Sequence, residues 1–198
     1  VIRGIFFDWG GVLCVDPTAG FLRYCSDELG IELSLLTPAI RRHLPVFMQG
    51  LPESEFWRHV GMELNKNSHW VQGSLWGRAL AAVYEPLSDT LQYSQELALQ
   101  GFKVGVLSNT EPPSRDFHLG QNYHWFCTRI FSCDHALSKP DPRIYTLAAQ
   151  KMDLPIADCL LVDDRMENIQ GALQTGMQAI HFQDLATFRT QLQKALSI

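Results

Sequence analysis

FFDWGGVL, Phe6 to Leu13, closes an apolar run on an aspartate and a glycine pair. The run starts at Ile2 and holds Ile5, Phe6 and Phe7, with Arg3 and Gly4 between them, which suits a short buried strand. A buried carboxylate without partners is costly. Asp8 is therefore either satisfied by local backbone hydrogen bonds or held at the strand end to do chemistry.

Four more short apolar runs read as buried strands: FKVGVL at 102–107, RIFS at 129–132, CLLVD at 159–163 and QAIHF at 178–182. Helical patterns separate the later runs, and that alternation implies an α/β fold, a parallel sheet covered by helices on both faces. The punctuation agrees. Ser88 is placed to cap a helix ending near Gly101, Asp141 and Pro142 to start another, Gly176 to close the one after Asp164, and Asp184 to start the last. Residues 17–85 differ, with helical periodicity at 21–29, 38–44, 53–64 and 70–83 and no strand signal. The expected organisation is a core of 1–16 and 86–198 with a small helical subdomain, 17–85, inserted after the first strand. Its tryptophans, Trp57, Trp70 and Trp76, read first as helix-packing residues.

At 198 residues the chain has room for one core plus such an insertion. A net charge of −5 gives no electrostatic reason to expect nucleic acid or an anionic membrane as partner, so the expected partner is a small molecule. No apolar run reaches the length of a membrane span, and the first residues form a strand rather than a basic stretch with a longer apolar core. The expectation is a soluble, cytoplasmic protein. Five cysteines without CxxC spacing suit reduced, mostly buried thiols. His124, Cys127, Cys133 and His135 match no zinc-binding spacing, and their structural reading is preferred.

Ligands in open parallel sheets gather at the carboxyl ends of strands, and the polar residues of this chain fall there. Asp8 ends the first strand, Ser108, Asn109 and Thr110 the second, SKPDP (138–142) follows the third, and VDDRMEN (162–168) spans the end of the fourth. Taken singly, each has an ordinary reading: turn formers at 108 and 109, a solvated Lys139, helix-cap carboxylates at Asp163 and Asp164. Together they combine a nucleophile-like carboxylate, a hydroxyl, a lysine and an acidic pair, which suits phosphoryl transfer around a divalent cation.

The four motifs DWGGVL, VLSNT, SKPDPRIY and LLVDDRMENIQGA, in this order and spacing, resemble the haloacid dehalogenase-like hydrolase superfamily across nearly the whole chain. The resemblance implies a Rossmann-like core with a small helical cap, and a phosphatase-type enzyme acting on a small phosphorylated metabolite. It implies that Asp8 attacks phosphorus to form an aspartyl-phosphate. Mg²⁺ would be held by Asp8, the carbonyl of Gly10 and Asp164, with Asp163 in the first or second shell. Ser108 would hydrogen-bond the phosphate, helped by Asn109 and by backbone N–H groups near Trp9 and Gly10, and Lys139 would screen the two anions from each other.

One position departs from the pattern. Phosphatases of the superfamily usually carry a second aspartate two residues after the nucleophile, as general acid, and here Gly10 stands there. Three readings follow. The chain is a phosphatase that uses a good leaving group or another acid, with a sugar phosphate as one expected substrate and Asp16 as one candidate acid. Or it is a metal-independent 2-haloacid dehalogenase, with Arg41 or Arg42 binding the substrate carboxylate; or it is a binding or regulatory relative without turnover. Phe21, Arg41, Arg42, Phe47, Trp57 and Trp76 are the cap residues whose placement, toward the site or inward, periodicity leaves open.

Overall fold

The computed structural model describes residues 1–67 and 70–196. Five strands, β1 (Gly4–Phe7), β2 (Lys103–Ser108), β3 (Thr128–Phe131), β4 (Cys159–Asp163) and β5 (Gln178–His181), form one sheet. Its order is β3-β2-β1-β4-β5, and every pairing is parallel. Each apolar run read as a strand is one, and the sheet is Rossmann-like.

β1 is central and buried at all four residues, with Phe7 opposite Val106 of β2 and Val162 of β4. Strand alternation divides its side chains between the two faces. Phe6 packs with Ile144, Tyr145 and Ala172, while Ile5 and Phe7 pack with Leu97, Phe188 and Leu192. Burying each phenylalanine contributes about 1.5–3 kcal/mol. The chain runs from β1 out to β3 and then returns across β1 to β4, so the strand order reverses beside the carboxyl end of β1. That reversal opens a crevice for ligands, and Asp8 is the residue that enters it.

Four helices, α1 (Thr18–Leu29), α2 (Leu33–Phe47), α3 (Glu53–Glu63) and α4 (Leu75–Val83), lie between β1 and the rest of the core. They share their own apolar cluster, centred on Phe47, Phe56, Trp57 and Trp76. The remaining helices are α5 (Ser88–Leu99), α6 (Pro112–Leu119), the short α7 (Ser132–His135), α8 (Pro142–Lys151), α9 (Met166–Gln174) and α10 (Leu185–Leu196).

Several boundaries differ from the sequence reading, and α1 starts at Thr18 rather than 21. α2 runs from 33 to 47 rather than 38 to 44, with Pro38 and Pro45 inside it. Proline favours a helix start, but burial of Leu36, Ala39, Ile40 and Phe47 carries the helix through both prolines. α4 begins at Leu75 and not at 70, because Ser74 Oγ accepts from the Gly77 N–H at 2.9 Å and caps it there. Ser88 is the first helical residue of α5 and makes no cap hydrogen bond; Leu87 occupies the N-cap position. Asp141 and Asp184 do cap their helices, accepting from Arg143 N at 2.9 Å and Thr187 N at 2.8 Å. All five thiols are free, and Cys127 alone is exposed. Among the described residues no helix is long and apolar enough to cross a membrane.

Candidate active site

β1 delivers Asp8 to the crevice, and its backbone N–H donates to the Val162 carbonyl at 2.9 Å, extending the ladder with β4 by one residue. Asp8 Oδ1 accepts from the Trp9 N–H at 2.8 Å and lies 3.0 Å from Lys139 Nζ. Asp8 Oδ2 has no hydrogen-bond partner among the described residues. Lys139 is buried and also donates to Asp163 Oδ2 at 2.5 Å. Burial pushes the Asp8 carboxyl up to about 6, Lys139 pulls it down, and Asp163 adds repulsion. Burial works against the Lys139 ammonium, but Asp8 and Asp163 outweigh it and hold its pKa above the ordinary lysine value.

Asp163 and Asp164 are neighbours with different surroundings. Asp163 ends β4 fully buried, and both its oxygens are occupied: Oδ1 accepts from Arg165 N and Asn168 Nδ2, each at 2.9 Å, and Oδ2 from Lys139 and Asn168. Asp164 is half-buried on the wall of the crevice, and burial, with the charge of Asp163, raises its pKa. One oxygen from each of Asp8, Asp163 and Asp164 lies within 4.8 Å of the others, and they are the only such group of potential metal ligands among the described residues. A donor set made only of oxygens fits a hard divalent cation such as Mg²⁺. Asn168 Oδ1 beside it is buried without a partner.

Gly11 belongs to this arrangement. Its φ is +80°, and a Cβ there would lie 2.2 Å from Asp164 Oδ2, so the second glycine of the pair lets the backbone close against the carboxylate.

The loop after β2 and the loop bearing Lys139 are clamped together. Asn109 Nδ2 donates to the Lys139 carbonyl and Asn109 Oδ1 accepts from the Lys139 N–H, both at 2.8 Å. Its amide is thus used on the backbone that carries the lysine. Ser108 Oγ accepts from Thr110 Oγ1 at 2.8 Å, which leaves its own hydroxyl hydrogen to donate into the crevice that it lines. Gly171 of α9 lets Pro140 come close, since a Cβ there would sit 2.8 Å from the proline ring.

The crevice is a cavity of about 620 Å³ between the strand ends and the helical insertion. Asp8, Trp9, Gly10, Ser108, Asn109 and Asp164 line its core side, whereas Lys139 and Asp163 lie behind Asp8, outside the wall. The roof is mostly apolar, built from Phe21, Leu22, Ile40, Leu44, Trp76 and Leu80, with Arg41 among them. Of the cap residues named from sequence, Phe21, Arg41 and Trp76 line the cavity. Phe47 and Trp57 pack inside the helical cluster, and Arg42 pairs with Glu63 at 2.7 Å. Trp9 stacks on Tyr84 at 5.6 Å and meets the buried His118 ring at 4.1 Å. Burial pushes His118 down to about 3, with Arg129 adding to the effect, so the imidazole is neutral.

Asp16 also lines the cavity, but its Oδ1 already accepts from the Thr18 N–H and hydroxyl at 2.9 and 2.6 Å. The residue that sequence reading missed is Glu111. It stands at the N-cap position of α6 on the cavity wall, and burial pushes its carboxyl up to about 7 against its own N–H and Ser114. A glutamate before two prolines reads only as a helix start, and its surroundings come from α4, far away in sequence.

The model of the haloacid dehalogenase-like hydrolase family matches residues 2–176. Rat bifunctional epoxide hydrolase 2 is 24% identical over 219 residues, covering 98% of this chain and 38% of the rat protein. Sesquiterpene phosphatase astK of Aspergillus oryzae is 30% identical over 121 residues, covering 56% of this chain and 62% of the fungal protein. The chain therefore spans less than two thirds of both relatives. Among solved structures, HAD family enzyme bt-2542 of Bacteroides thetaiotaomicron, in complex with magnesium and inorganic phosphate, is similar with a TM-score of 0.75 at 16% identity, covering 95% of this chain and 99% of that one. With the strand order, the four strand-end motifs and the inserted helices in place, the chain belongs to the haloacid dehalogenase-like hydrolase family.

Proposed function

We propose that the protein is a Mg²⁺-dependent hydrolase of small phosphomonoesters that works through an aspartyl-phosphate on Asp8. The observation that carries this reading is the Asp8–Lys139 pair: a carboxylate at the crevice, with one oxygen restrained and the other free, backed by a buried cation 3.0 Å away. Asp8 Oδ2 attacks phosphorus, and Ser108 donates to a phosphate oxygen. Lys139 and the Trp9 N–H keep the carboxylate ionised and oriented. Asp8, Asp164 and the Gly10 carbonyl would hold Mg²⁺, and the saturated Asp163 positions Lys139 from behind. When bound, the cation supplies charge neutralisation for the approaching phosphate.

The roof supports a substrate with an apolar carbon body over a polyhydroxylated sugar, because six apolar side chains face the space where the leaving group must lie. The relative named as a sesquiterpene phosphatase supports the same class. A 2-haloacid dehalogenase would need a cation for the substrate carboxylate, and Arg41 lines the cavity. The carboxylate cluster within 4.8 Å favours the metal-dependent reaction instead.

The test is a phosphate-release screen with and without Mg²⁺, covering alkyl, isoprenyl and sugar phosphates, on wild type and Asp8→Asn. The expected result is release from the apolar esters, abolished by the substitution and by chelator. Release unchanged in Asp8→Asn contradicts the mechanism, and chloride release from a 2-chloro acid in chelator would support the dehalogenase.

A further inference from the structure

We propose that Glu111 is the general acid and base of this site, supplying from the second motif loop the proton that Gly10 cannot. The proposal rests on the phosphomonoesterase reading above. A phosphate ester with an alkoxide leaving group needs a proton donor on the leaving-group side of phosphorus, away from the strand-end carboxylates. Among the groups that line the cavity, Asp8 and Asp164 belong to the nucleophile and cation cluster, Asp16 is tied to Thr18, and Arg165 pairs with Glu167 at 2.8 Å. Arg41 is a cation at neutral pH and a poor proton donor. Glu111 remains; it lines the same cavity and is linked through Ser114 to Trp76 of the roof.

Its hydrogen bonds set where the proton sits. Trp76 Nε1, from α4 of the helical insertion, donates to Ser114 Oγ at 2.9 Å, and Ser114 Oγ donates to Glu111 Oε2 at 3.0 Å. An indole N–H can only donate, so the serine hydroxyl hydrogen must point to the glutamate. Oε2 is thereby an acceptor, so in the protonated form the acidic proton falls to Oε1; the only other contact of the carboxyl among the described residues is with its own backbone N–H. Outside the cavity, the Cys133 thiol of α7 is close enough to feel the charge of Glu111; burial pushes it up to about 12, and it is neutral. The carboxyl of Glu111 itself is pushed up to about 7 by burial, so protonated and ionised forms are both present near neutrality, as a group that first gives and then takes a proton requires.

The steps balance. Asp8 Oδ2 forms a bond to phosphorus as the bond to the ester oxygen breaks, and that oxygen takes the electron pair and the proton of Glu111 Oε1. Water then attacks the aspartyl-phosphate and gives a proton to the Glu111 carboxylate. The phosphorus–Asp8 bond breaks with its electron pair returning to Asp8, and inorganic phosphate leaves. Because the chain of donors starts on α4, the acid is aligned only while the helical insertion sits against α6.

The experiment compares p-nitrophenyl phosphate, whose leaving group needs no proton, with hexyl phosphate, whose leaving group does. Both are measured with saturating Mg²⁺ for wild type, Glu111→Gln, and Glu111→Gln combined with Gly10→Asp. The glutamine keeps an acceptor for Ser114, and a Cβ at Gly10 has no neighbour closer than Pro17 Cδ at 3.8 Å, so both substitutions fit the fold. Expected is a fall in kcat/KM of about 10²- to 10⁴-fold on hexyl phosphate with little change in kcat/KM on p-nitrophenyl phosphate, whose kcat falls because water attack on the aspartyl-phosphate still needs the base. The loss of hexyl phosphate activity as pH rises through about 7 in wild type should vanish in Glu111→Gln, and Gly10→Asp should restore turnover. An equal fall in kcat/KM on both substrates, or none on either, overturns the role of Glu111 while leaving the phosphomonoesterase reading in place. Absence of Asp8-dependent release from both substrates in wild type overturns both.

Discussion

Lys139 Nζ lies 3.0 Å from Asp8 Oδ1, and its side chain is fully enclosed. The carboxylate that meets the cavity and the cation that steadies it therefore form a pair that water screens poorly. Replacing Lys139 with methionine leaves Asp8 and Asp163 as buried anions side by side. The expected cost is about 3–5 kcal/mol, read from urea unfolding, together with loss of phosphate release.

Gly11→Ala puts a methyl group 2.2 Å from Asp164 Oδ2 at a φ of +80°. Mg²⁺ affinity measured by calorimetry should weaken by about 10- to 100-fold. Gly30→Ala is the control, because Gly30 has a similar φ of +60° with nothing within 4 Å of its Cβ. It should lose about 1 kcal/mol of stability and keep its Mg²⁺ affinity.

Asn109 holds the Lys139 backbone through two hydrogen bonds at 2.8 Å. Asn109→Ala should cost about 1–3 kcal/mol and lower kcat. Inhibition by inorganic phosphate should change little, since the amide is engaged with the loop. A parallel loss of phosphate inhibition would place the amide on the phosphate instead.

His118 is buried and neutral, its pKa pushed from 6.5 down to about 3. The unfolded chain binds a proton on this group below about 6.5 while the folded chain does not. Its contribution is therefore fully present above that pH and is lost as pH falls toward 3. The unfolding free energy should drop by up to about 1.4 kcal/mol per pH unit from this group alone. His118→Phe should flatten that part of the profile, as followed by urea midpoints between pH 7 and pH 4.

The strands were legible because a buried parallel strand is a short apolar run, and the polar residues at 8, 108, 139 and 163–164 stood out against those runs. The sequence also marked Asp141 and Asp184 as caps, since capping is a local hydrogen bond. What it obscured depends on distant partners. α2 passes through Pro38 and Pro45 because tertiary burial outweighs a local penalty. Asn109, adjacent to Ser108 in an ordinary turn sequence, takes its role from a loop 30 residues away. Glu111 looks like a helix-start residue until Trp76 and Ser114 are brought beside it, and Asp163 looks like the equal of Asp164 until Lys139 and Asn168 occupy its oxygens.

The most direct test of the central claim is capture of the intermediate. The protein is mixed with Mg²⁺ and p-nitrophenyl phosphate, quenched in acid, reduced with borohydride and digested for mass spectrometry. The account predicts homoserine at position 8, formed only when substrate is present, and none in Asp8→Asn. Turnover of the ester with position 8 still aspartate, or with the modification on another carboxylate, would contradict it.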